Sequence, residues 1–275
     1  MKSSVCLCLT VVLVMISLVG SGQEIQRFDL GYEDFAYYNP AAAISTGDRE
    51  TTYSRYALDG ADGSGRGRLG LSEHAIVGVG GGKIVACVST SRYSTFFDVG
   101  VSAGYAYGWN VGKGRINLGA LASLDFDRGS WEGAGLRIVP DVTLGMEYNY
   151  GTFRAGASVI NALSLPIRAG GVQIIRNPRA YSVHASYGFT IPKVSVSITP
   201  YVFGLRTNDW HVDMGLYSRW NNFFSLAYAY RYNDYRHIVT AGINVPQTTV
   251  GIFVGYSWSD RYATDNLSIG LMTWL

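Results

Sequence analysis

The stretch Val99-Gly100-Val101-Ser102-Ala103-Gly104-Tyr105-Ala106-Tyr107-Gly108-Trp109 decides the fold class of this chain. Successive side chains of a β-strand point to opposite faces, so one face carries Val, Ala, Tyr and Trp while the other carries Gly, Ser and Ala. A bulky row that ends in Tyr and Trp is typical of the lipid-facing side of a transmembrane barrel strand. A secreted soluble β-protein would instead expose a polar row rich in Lys and Glu. The pattern therefore favours a membrane barrel.

The same alternation recurs along the chain, most clearly in 116–126, 250–258 and 267–275. Counting such segments predicts an all-β fold, a transmembrane antiparallel up-and-down β-barrel of about 14 strands, and bacterial outer-membrane barrels have even strand numbers. The first two segments have the least distinct edges, so twelve strands is the alternative count. The predicted strands lie near residues 49–58, 69–77, 82–91, 96–109, 114–126, 141–150, 152–160, 179–190, 193–204, 210–219, 222–231, 236–244, 247–257 and 265–275.

The predicted connections alternate between tight turns and longer links. If the chain enters the barrel from the periplasm, all the tight turns are periplasmic and the long links are extracellular. The segment Gly78 to Gly82 resembles a phosphate loop, but it lacks the Lys-Ser/Thr ending and a following helix, so we interpret it as a hairpin turn. The tight turns lie at 110–114, 150–151, 191–193, 220–222 and 245–247, and the longer links at 59–68, 127–140 and 161–178.

Composition agrees with a barrel. Charged residues make up 15% of the chain, whereas a soluble domain carries about a quarter. Aromatic residues reach 13% and there are 34 glycines. Beyond the N-terminal region no apolar run approaches the roughly 18 residues of a spanning helix. The formal net charge of +2 is too small to indicate a nucleic-acid partner.

The N-terminal residues are typical of a secretory signal peptide, predicted for 1–22. Lys2 supplies a positive charge, 5–19 is largely apolar, and small residues before Gln23 offer a cleavage point. Residues 23–47 are predicted to form a periplasmic or lumen-inserted segment, and 48–275 the barrel. Removal of the signal would leave Cys87 as the last thiol, so we expect no internal disulfide.

The residues that could carry chemistry are few. The histidines of the predicted mature chain lack a metal-chelating spacing, and we expect no cofactor, metal site or catalysis. His184 lies inside a predicted strand and is interpreted as a hydrogen-bonded or lumen-facing histidine. Asp209 and His211, near a strand end, are the nearest candidates for an outer-membrane enzyme. Five arginines in or next to the predicted links could bind lipopolysaccharide phosphates or a partner, or be solvated charges. They are Arg66, Arg68, Arg168, Arg176 and Arg179.

The segment Phe35-Ala36-Tyr37-Tyr38-Asn39-Pro40-Ala41-Ala42-Ala43 resembles the Asn-Pro-Ala-x-Ala segment that opens members of the PorP/SprF family of type IX secretion outer-membrane proteins. The order of later features is also similar. A Gly-rich hairpin precedes 101–107, Gly114 to Phe126 resembles the next strand, and a Gly-Met-Glu-Tyr strand follows Pro140-Asp141. The resemblance spans roughly residues 28–275, and the chain departs from the family pattern in its short second loop and in ending with Trp274-Leu275.

The resemblance implies a non-enzymatic protein in the outer membrane of a Gram-negative bacterium. Such proteins are thought to link the outer membrane to the periplasmic ring and lipoprotein subunits of the type IX machine, or to deliver or anchor adhesins with C-terminal secretion domains, including gliding adhesins. We take Asn39, Pro40, Arg168, Arg176 and Arg179 as the candidate partner-binding residues. The alternative is a passive porin or transporter of hydrophobic compounds, although an inner row of Gly, Ala and Ser disfavours an ion-selective channel.

Overall fold

The structure is a computed structural model. It describes residues 35–46, 51–59, 68–93, 96–128, 137–169, 172–175, 179–207, 209–221, 223–245, 248, 250–261 and 265–274. The predicted signal peptide, 1–22, lies outside the described residues, as do the first part of the predicted N-terminal segment, Arg66 and Arg176.

Strands make up nearly all of the described chain. A short 3-10 stretch at 35–37 and a 3-10 helix, Pro40–Thr46, precede the first strand, and a further 3-10 helix, Pro192–Val194, lies between β11 and β12. In the described residues no helix is long and apolar enough to cross a membrane. The strands are β1 Thr51–Asp59, β2 Arg68–Val79, β3 Gly82–Tyr93, β4 Phe96–Val111, β5 Gly114–Arg128, β6 Arg137–Tyr150, β7 Phe153–Ile160, β8 Pro166–Ala169, β9 Val172–Ile175, β10 Ala180–Tyr187, β11 Phe189–Ile191, β12 Val196–Arg206, β13 Trp210–Trp220, β14 Phe224–Arg231, β15 Arg236–Asn244, β16 Val250–Ser259 and β17 Asn266–Trp274.

The large sheet closes on itself. Each barrel strand pairs antiparallel with the next one in the chain, and β1 pairs with β17 from Thr51↔Trp274 to Asp59↔Asn266. The second closure joins β10 to β12, with His184 opposite Phe203. Strand β11 continues the course of β10 and pairs with β12, while β8 and β9 form a separate hairpin. The barrel therefore has fourteen strands, and the predicted fold and strand count are confirmed.

One predicted link and two predicted strands differ from the observed ones. The predicted link 161–178 contains the β8–β9 hairpin. The predicted strand 179–190 is interrupted at Gly188, which separates β10 from β11, and the predicted strand 193–204 begins with a 3-10 turn before β12. Proline lacks the N–H that a sheet needs, and the backbone of Ser195 is left-handed, with φ 51°. These two features prevent regular pairing until Val196.

The two mouths of the barrel differ in their connections. We call the mouth where β1 begins and β17 ends the turn mouth, and the opposite one the loop mouth. In bacterial barrels the short turns are periplasmic, so we assign the turn mouth to the periplasm. Three loop-mouth connections, 94–95, 207–209 and 232–235, are also short, so the expected contrast between the mouths is only partial. The turn-mouth connections are 80–81, 112–113, 151–152, 188–195, 221–223 and 245–249.

The hairpin predicted around Gly78 to Gly82 is confirmed. Gly80 and Gly81, with φ of +60° and +80°, form the two-residue turn between β2 and β3. Two successive positive φ values match the turn type that suits the twist of a tight hairpin, and glycine adopts them without a steric penalty.

The outer face of the barrel carries the bulky row that the alternation predicted. On β4, Tyr105, Tyr107 and Trp109 are exposed, and Trp109 keeps 48% of its surface outside the protein. The residues between them face the lumen, where Ala106 is fully buried. An apolar row on the outside and small residues inside is the arrangement a lipid environment requires.

An arginine pair tests this assignment of faces. Val101 shares the outward side of β4 with Tyr105, whereas Ser102 pairs on the inner side with Cys87 and Ser123. Arginine on the lipid face near mid-membrane costs roughly 2–4 kcal/mol. We expect Val101→Arg to deplete the heat-modifiable folded form on unheated SDS gels, and Ser102→Arg to retain it. Equal behaviour of the two variants would contradict the assignment.

Candidate functional site

Residues 35–46 lie inside the barrel, and we call them the lumen segment. They contact strands β3 to β7, and every side chain from Phe35 to Ile44 except that of Tyr37 is buried. The backbone amides of Tyr38 and Asn39 donate to the Phe35 carbonyl oxygen at 3.1 and 2.8 Å, which forms a turn before the 3-10 helix. Burial of each large apolar side chain stabilises this position by roughly 1.5–3 kcal/mol.

The Asn39-Pro40 pair fixes the start of the 3-10 helix. The Asn39 side-chain Oδ1 accepts from the Ala41 backbone amide at 3.1 Å, and its Nδ2 donates to the Met146 carbonyl oxygen at 2.9 Å. Asparagine is a favoured residue before a helix because its side chain caps an unpaired amide, and proline suits the first helical position because its φ is already fixed. Asn39 therefore both ends the preceding turn and attaches the segment to β6.

A groove of glycines on the inner wall receives the segment. Gly119 on β5 and Gly145 on β6 are directly paired. A Cβ atom on Gly119 would overlap the backbone of Pro40 and Ala41, and one on Gly145 would overlap the Asn39 side chain. The backbone of the segment therefore approaches the wall as closely as only glycine permits.

Aromatic stacking holds the other side of the segment. The Phe35 ring stacks on His184 of β10 with ring centroids 4.4 Å apart and planes 10° apart. Both Phe35 and Tyr38 contact Phe203 of β12, at centroid distances of 6.0 and 4.8 Å. The Ser158 hydroxyl of β7 donates to the Tyr38 carbonyl oxygen at 2.6 Å. The segment thus joins wall strands that are distant in sequence.

The buried apolar cluster formed by the segment extends across the lumen. It includes Ile76 and Val85 on β2 and β3, Leu205 on β12, and Phe253 and Met272 on β16 and β17. Since these strands lie around the barrel, the cluster connects wall strands on several sides of the lumen through the segment.

A buried polar network fixes the far end of the segment. The Glu147 carboxylate of β6 contacts His184 Nε2 at 2.9 Å and Arg154 Nη2 at 3.1 Å, and the side chains of Glu147 and His184 are fully buried. The Ser45 hydroxyl donates to Glu147 Oε1 and accepts from Asn149 Nδ2 at 2.7 Å. A buried carboxylate is tolerated only when charged or hydrogen-bonding partners compensate it, and here the segment supplies one of them.

These contacts suit a structural role for the network. Every polar partner of Glu147 described above belongs to the barrel wall or to the lumen segment. Among the described residues, no group of three or more His, Cys, Asp or Glu side chains could hold a metal ion. The arrangement attaches a chain segment inside the lumen through a charge network, a glycine groove and aromatic stacking.

Residues 88–268 match the family model of the type IX secretion system membrane protein PorP/SprF. The chain belongs to the PorP/SprF family. The match covers most of the barrel, from β3 to β17. It begins after the Asn39-Pro40 segment. A comparison with curated protein sequences gives no match.

Solved structures similar to this PorP/SprF protein are outer-membrane barrels. The Acinetobacter baumannii outer membrane protein Omp33 is 10% identical, with a TM-score of 0.50 over 83% of this chain and 100% of that one. The deltaS2S3 mutant of TodX, a monoaromatic hydrocarbon channel, is 9% identical, with a TM-score of 0.51 over 86% of this chain and 92% of that one. At these identities the likeness shows the fold alone. The family and the fold together place the protein in the outer membrane.

The five predicted partner-binding residues are distributed over different environments in this PorP/SprF barrel. Asn39 and Pro40 are buried in the lumen and contact the wall. Arg179 is exposed at the loop mouth, where its Nη2 donates to the Ala162 carbonyl oxygen at 2.7 Å. Arg168 lies on β8, whose side chains are not described, and Arg176 lies outside the described residues. A role in partner binding stays a prediction for all five.

The candidate catalytic pair is not brought together. His211 Nδ1 contacts Asp234 Oδ1 at 3.1 Å, and Asp209 is exposed. The interpretation of His184 as a hydrogen-bonded, lumen-facing histidine is confirmed by its contact with Glu147. Sequence reasoning missed Glu147 and Arg154. Their signal was a charged residue in an otherwise small or polar inner row.

A single added methyl group tests the glycine groove. Gly119→Ala places a Cβ against the backbone of Pro40 and Ala41, so the lumen segment must shift. We expect the rate of amide hydrogen exchange in residues 35–46, measured by mass spectrometry, to rise. The expected rise is about tenfold for each 1.4 kcal/mol of packing free energy that is lost. The matched control is Gly78→Ala, whose Cβ would meet no atom within 4 Å. Unchanged exchange in Gly119→Ala would refute the groove.

Removal of one charge tests the network. In Glu147→Gln, Arg154 loses its buried carboxylate partner and His184 loses its charged acceptor, and breaking such a pair costs about 3–5 kcal/mol. We expect a lower guanidinium midpoint for unfolding in lipid vesicles. Asp209→Asn removes an exposed carboxylate at the loop mouth and should leave the midpoint nearly unchanged. Equal midpoints for the two variants would show that the network adds no stability.

Proposed function

We propose that this protein is a non-enzymatic barrel component of the type IX secretion and gliding machinery. In this proposal it binds periplasmic ring and lipoprotein subunits, and it delivers or anchors surface adhesins that carry C-terminal secretion domains. The observation that carries the proposal is the PorP/SprF family match over residues 88–268. The partner classes follow from what the family resemblance implies.

The segment that occupies the lumen supports a role that depends on the surfaces of the barrel. A passive porin needs a continuous aqueous path lined by polar groups. Here the lumen segment and the apolar cluster around Phe35, Phe203 and Phe253 cross the barrel interior. A membrane-embedded barrel whose lumen is occupied in this way is suited to bind other proteins at its two mouths.

The turn mouth offers apolar residues to a periplasmic partner. Val194 and Phe223 lie on two turns that the bond from the Asn221 amide to the Ser195 carbonyl joins, and they expose 58% and 46% of their surfaces. Apolar side chains exposed near an aqueous rim are typical of protein contact sites when they occur close together. We therefore place ring-subunit binding at this mouth, and adhesin contact at the loop mouth near Arg179.

The absence of catalysis is part of the proposal. His211 contacts Asp234, and the enzyme alternative is tested by substitution of its two candidates, Asp209 and His211. Asp209→Ala and His211→Ala are expected to leave adhesin secretion and gliding unchanged. A specific loss of either activity, with the barrel still folded, would restore the enzyme alternative.

Affinity purification tests the partner proposal. The tagged protein is isolated from native outer membranes in mild detergent, and co-purifying proteins are identified by mass spectrometry. We expect ring subunits, or an adhesin with a C-terminal secretion domain, to co-purify. Phe223→Asp at the turn mouth should reduce ring-subunit recovery about tenfold, as loss of a central apolar contact does. Tyr232→Asp, at an exposed position of the loop mouth, is the control.

Two results would contradict this proposal. Ring-subunit recovery that is lost in Tyr232→Asp and retained in Phe223→Asp would place the contact at the wrong mouth. A protein that purifies alone and conducts ions or passes hydrophobic compounds in planar bilayers would support the porin or transporter alternative.

A further inference from the structure

Strand β11, Phe189–Ile191, has one edge that no described strand covers. It pairs with β12, and among the described strands β12 is its sole partner. On the other side lies the end of β7, which pairs with β10 as far as Tyr187↔Phe153. The chain before Phe153 is the turn Gly151-Thr152, and the Gly188 amide donates to the Thr152 carbonyl oxygen at 3.1 Å. Strand β7 therefore ends where β11 begins, and we call the uncovered side of β11 the free edge.

Pairing with β12 keeps the backbone of β11 extended. The register is the one that β10 already has with β12, so Phe189↔Ile198 continues the series that ends at Ser186↔Tyr201. In an antiparallel ladder the N–H and C=O of one residue point to the same neighbour, and those of the next residue point to the opposite side. At least one of the three residues of β11 therefore directs both groups to the free edge. All three residues are exposed, so these groups offer an added strand at least two hydrogen bonds.

The side chains beside the free edge alternate in character. Thr190 pairs with Ser197, which lies on the lumen face of β12 together with Phe203. Phe189 and Ile191 lie on the outer face and expose 51% and 44% of their surfaces. Directly paired side chains of neighbouring strands contact each other on one face of the sheet. An added strand would therefore meet apolar neighbours on its outer face and a hydroxyl on its inner face, which favours a segment that alternates apolar and polar residues.

Charge at the free edge disfavours a second copy and favours an acidic partner. Lys193 is exposed two residues after β11, and the connection 188–195 contains no acidic residue. Two copies in one membrane point the same way, so their β11 strands could pair only in parallel, with the two Lys193 side chains close together. A lysine at a sheet edge disfavours such pairing of identical strands. The same positive charge attracts a strand that carries Glu or Asp.

We infer that the free edge binds an extended segment of a periplasmic protein as an added β-strand, and that this segment alternates apolar with polar residues and carries Glu or Asp near Lys193. Addition of a strand to an exposed sheet edge is a general mode of peptide recognition. The inference deepens the proposed function and rests on it for the presence of a periplasmic protein partner at the turn mouth.

Peptide binding tests the strand addition. The probe is a short dye-labelled peptide in which Val alternates with Thr and Glu, titrated with the purified full chain in lipid nanodiscs, and anisotropy is measured. Two twins carry N-methyl groups on one or the other alternate set of amides, which removes the donors from one edge of the peptide. We expect saturable binding of the unmethylated peptide. One twin should bind at least about tenfold more weakly because its methyl groups face β11, and the other should bind like the unmethylated peptide.

Two lysine variants and hydrogen exchange locate the binding. Lys193→Glu replaces an attracting charge by a repelling one and should weaken binding about fivefold, as cross-strand charge pairs do. Lys113→Glu changes an exposed lysine in another turn of the same mouth and should leave binding unchanged. Amide hydrogen exchange, measured by mass spectrometry, should slow in residues 187–196 when the peptide is bound and stay unchanged in residues 110–115.

Three results would overturn the inference. They are equal binding of all three peptides, no saturable binding of the unmethylated peptide, and protection of residues 187–196 that rises with protein concentration without peptide, which would identify a second copy as the occupant. The outcome is separate from that of the partner purification. Recovery of ring subunits without peptide binding would refute the strand addition alone. Peptide binding without recovery of any ring subunit or adhesin would refute the proposed function and retain the strand-binding edge.

Discussion

The lipid around the barrel offers no hydrogen-bond partner to a peptide group, and this constraint determines the architecture. Every strand in the membrane must be paired on both edges, so the sheet has to close. It closes at two places, between β1 and β17 and between β10 and β12. At the second place β10 pairs with β12 from Tyr181↔Arg206 to Ser186↔Tyr201, and after Gly188 the short strand β11 continues beside β12 at the turn mouth.

Closure creates an interior that must itself be filled or hydrated, and in this protein a preceding part of the chain occupies part of it. The lumen segment replaces side chains that the inner wall lacks, since glycines line the groove where the segment lies. The polar and apolar parts of the segment are matched to different wall strands. Ser45 reaches Glu147 and Asn149, while Phe35 and Tyr38 reach His184 and Phe203. The wall and the segment are therefore one packing unit.

Local periodicity predicted the barrel well because the alternating side chains of each strand differ between its lipid side and its lumen side. The rows of Val, Tyr and Trp beside Gly, Ala and Ser were sufficient for the fold class and the number of strands. The inner network could not be predicted in the same way. Glu147 and His184 meet because both flank Gly156 in the registers of β6, β7 and β10, and register between strands distant in sequence leaves no local signal. Asn39 was singled out by resemblance, yet its cap on Ala41 and its bond to Met146 needed the structure.

The position of the lumen segment in the chain has a consequence for the order of folding. The segment is synthesised before all of the strands, but its binding surface is completed only by β10 and β12, late in the sequence. Phe35 can contact His184 and Phe203 together only after β10 and β12 have paired. The complete set of contacts of the lumen segment therefore cannot form before β12 joins the sheet.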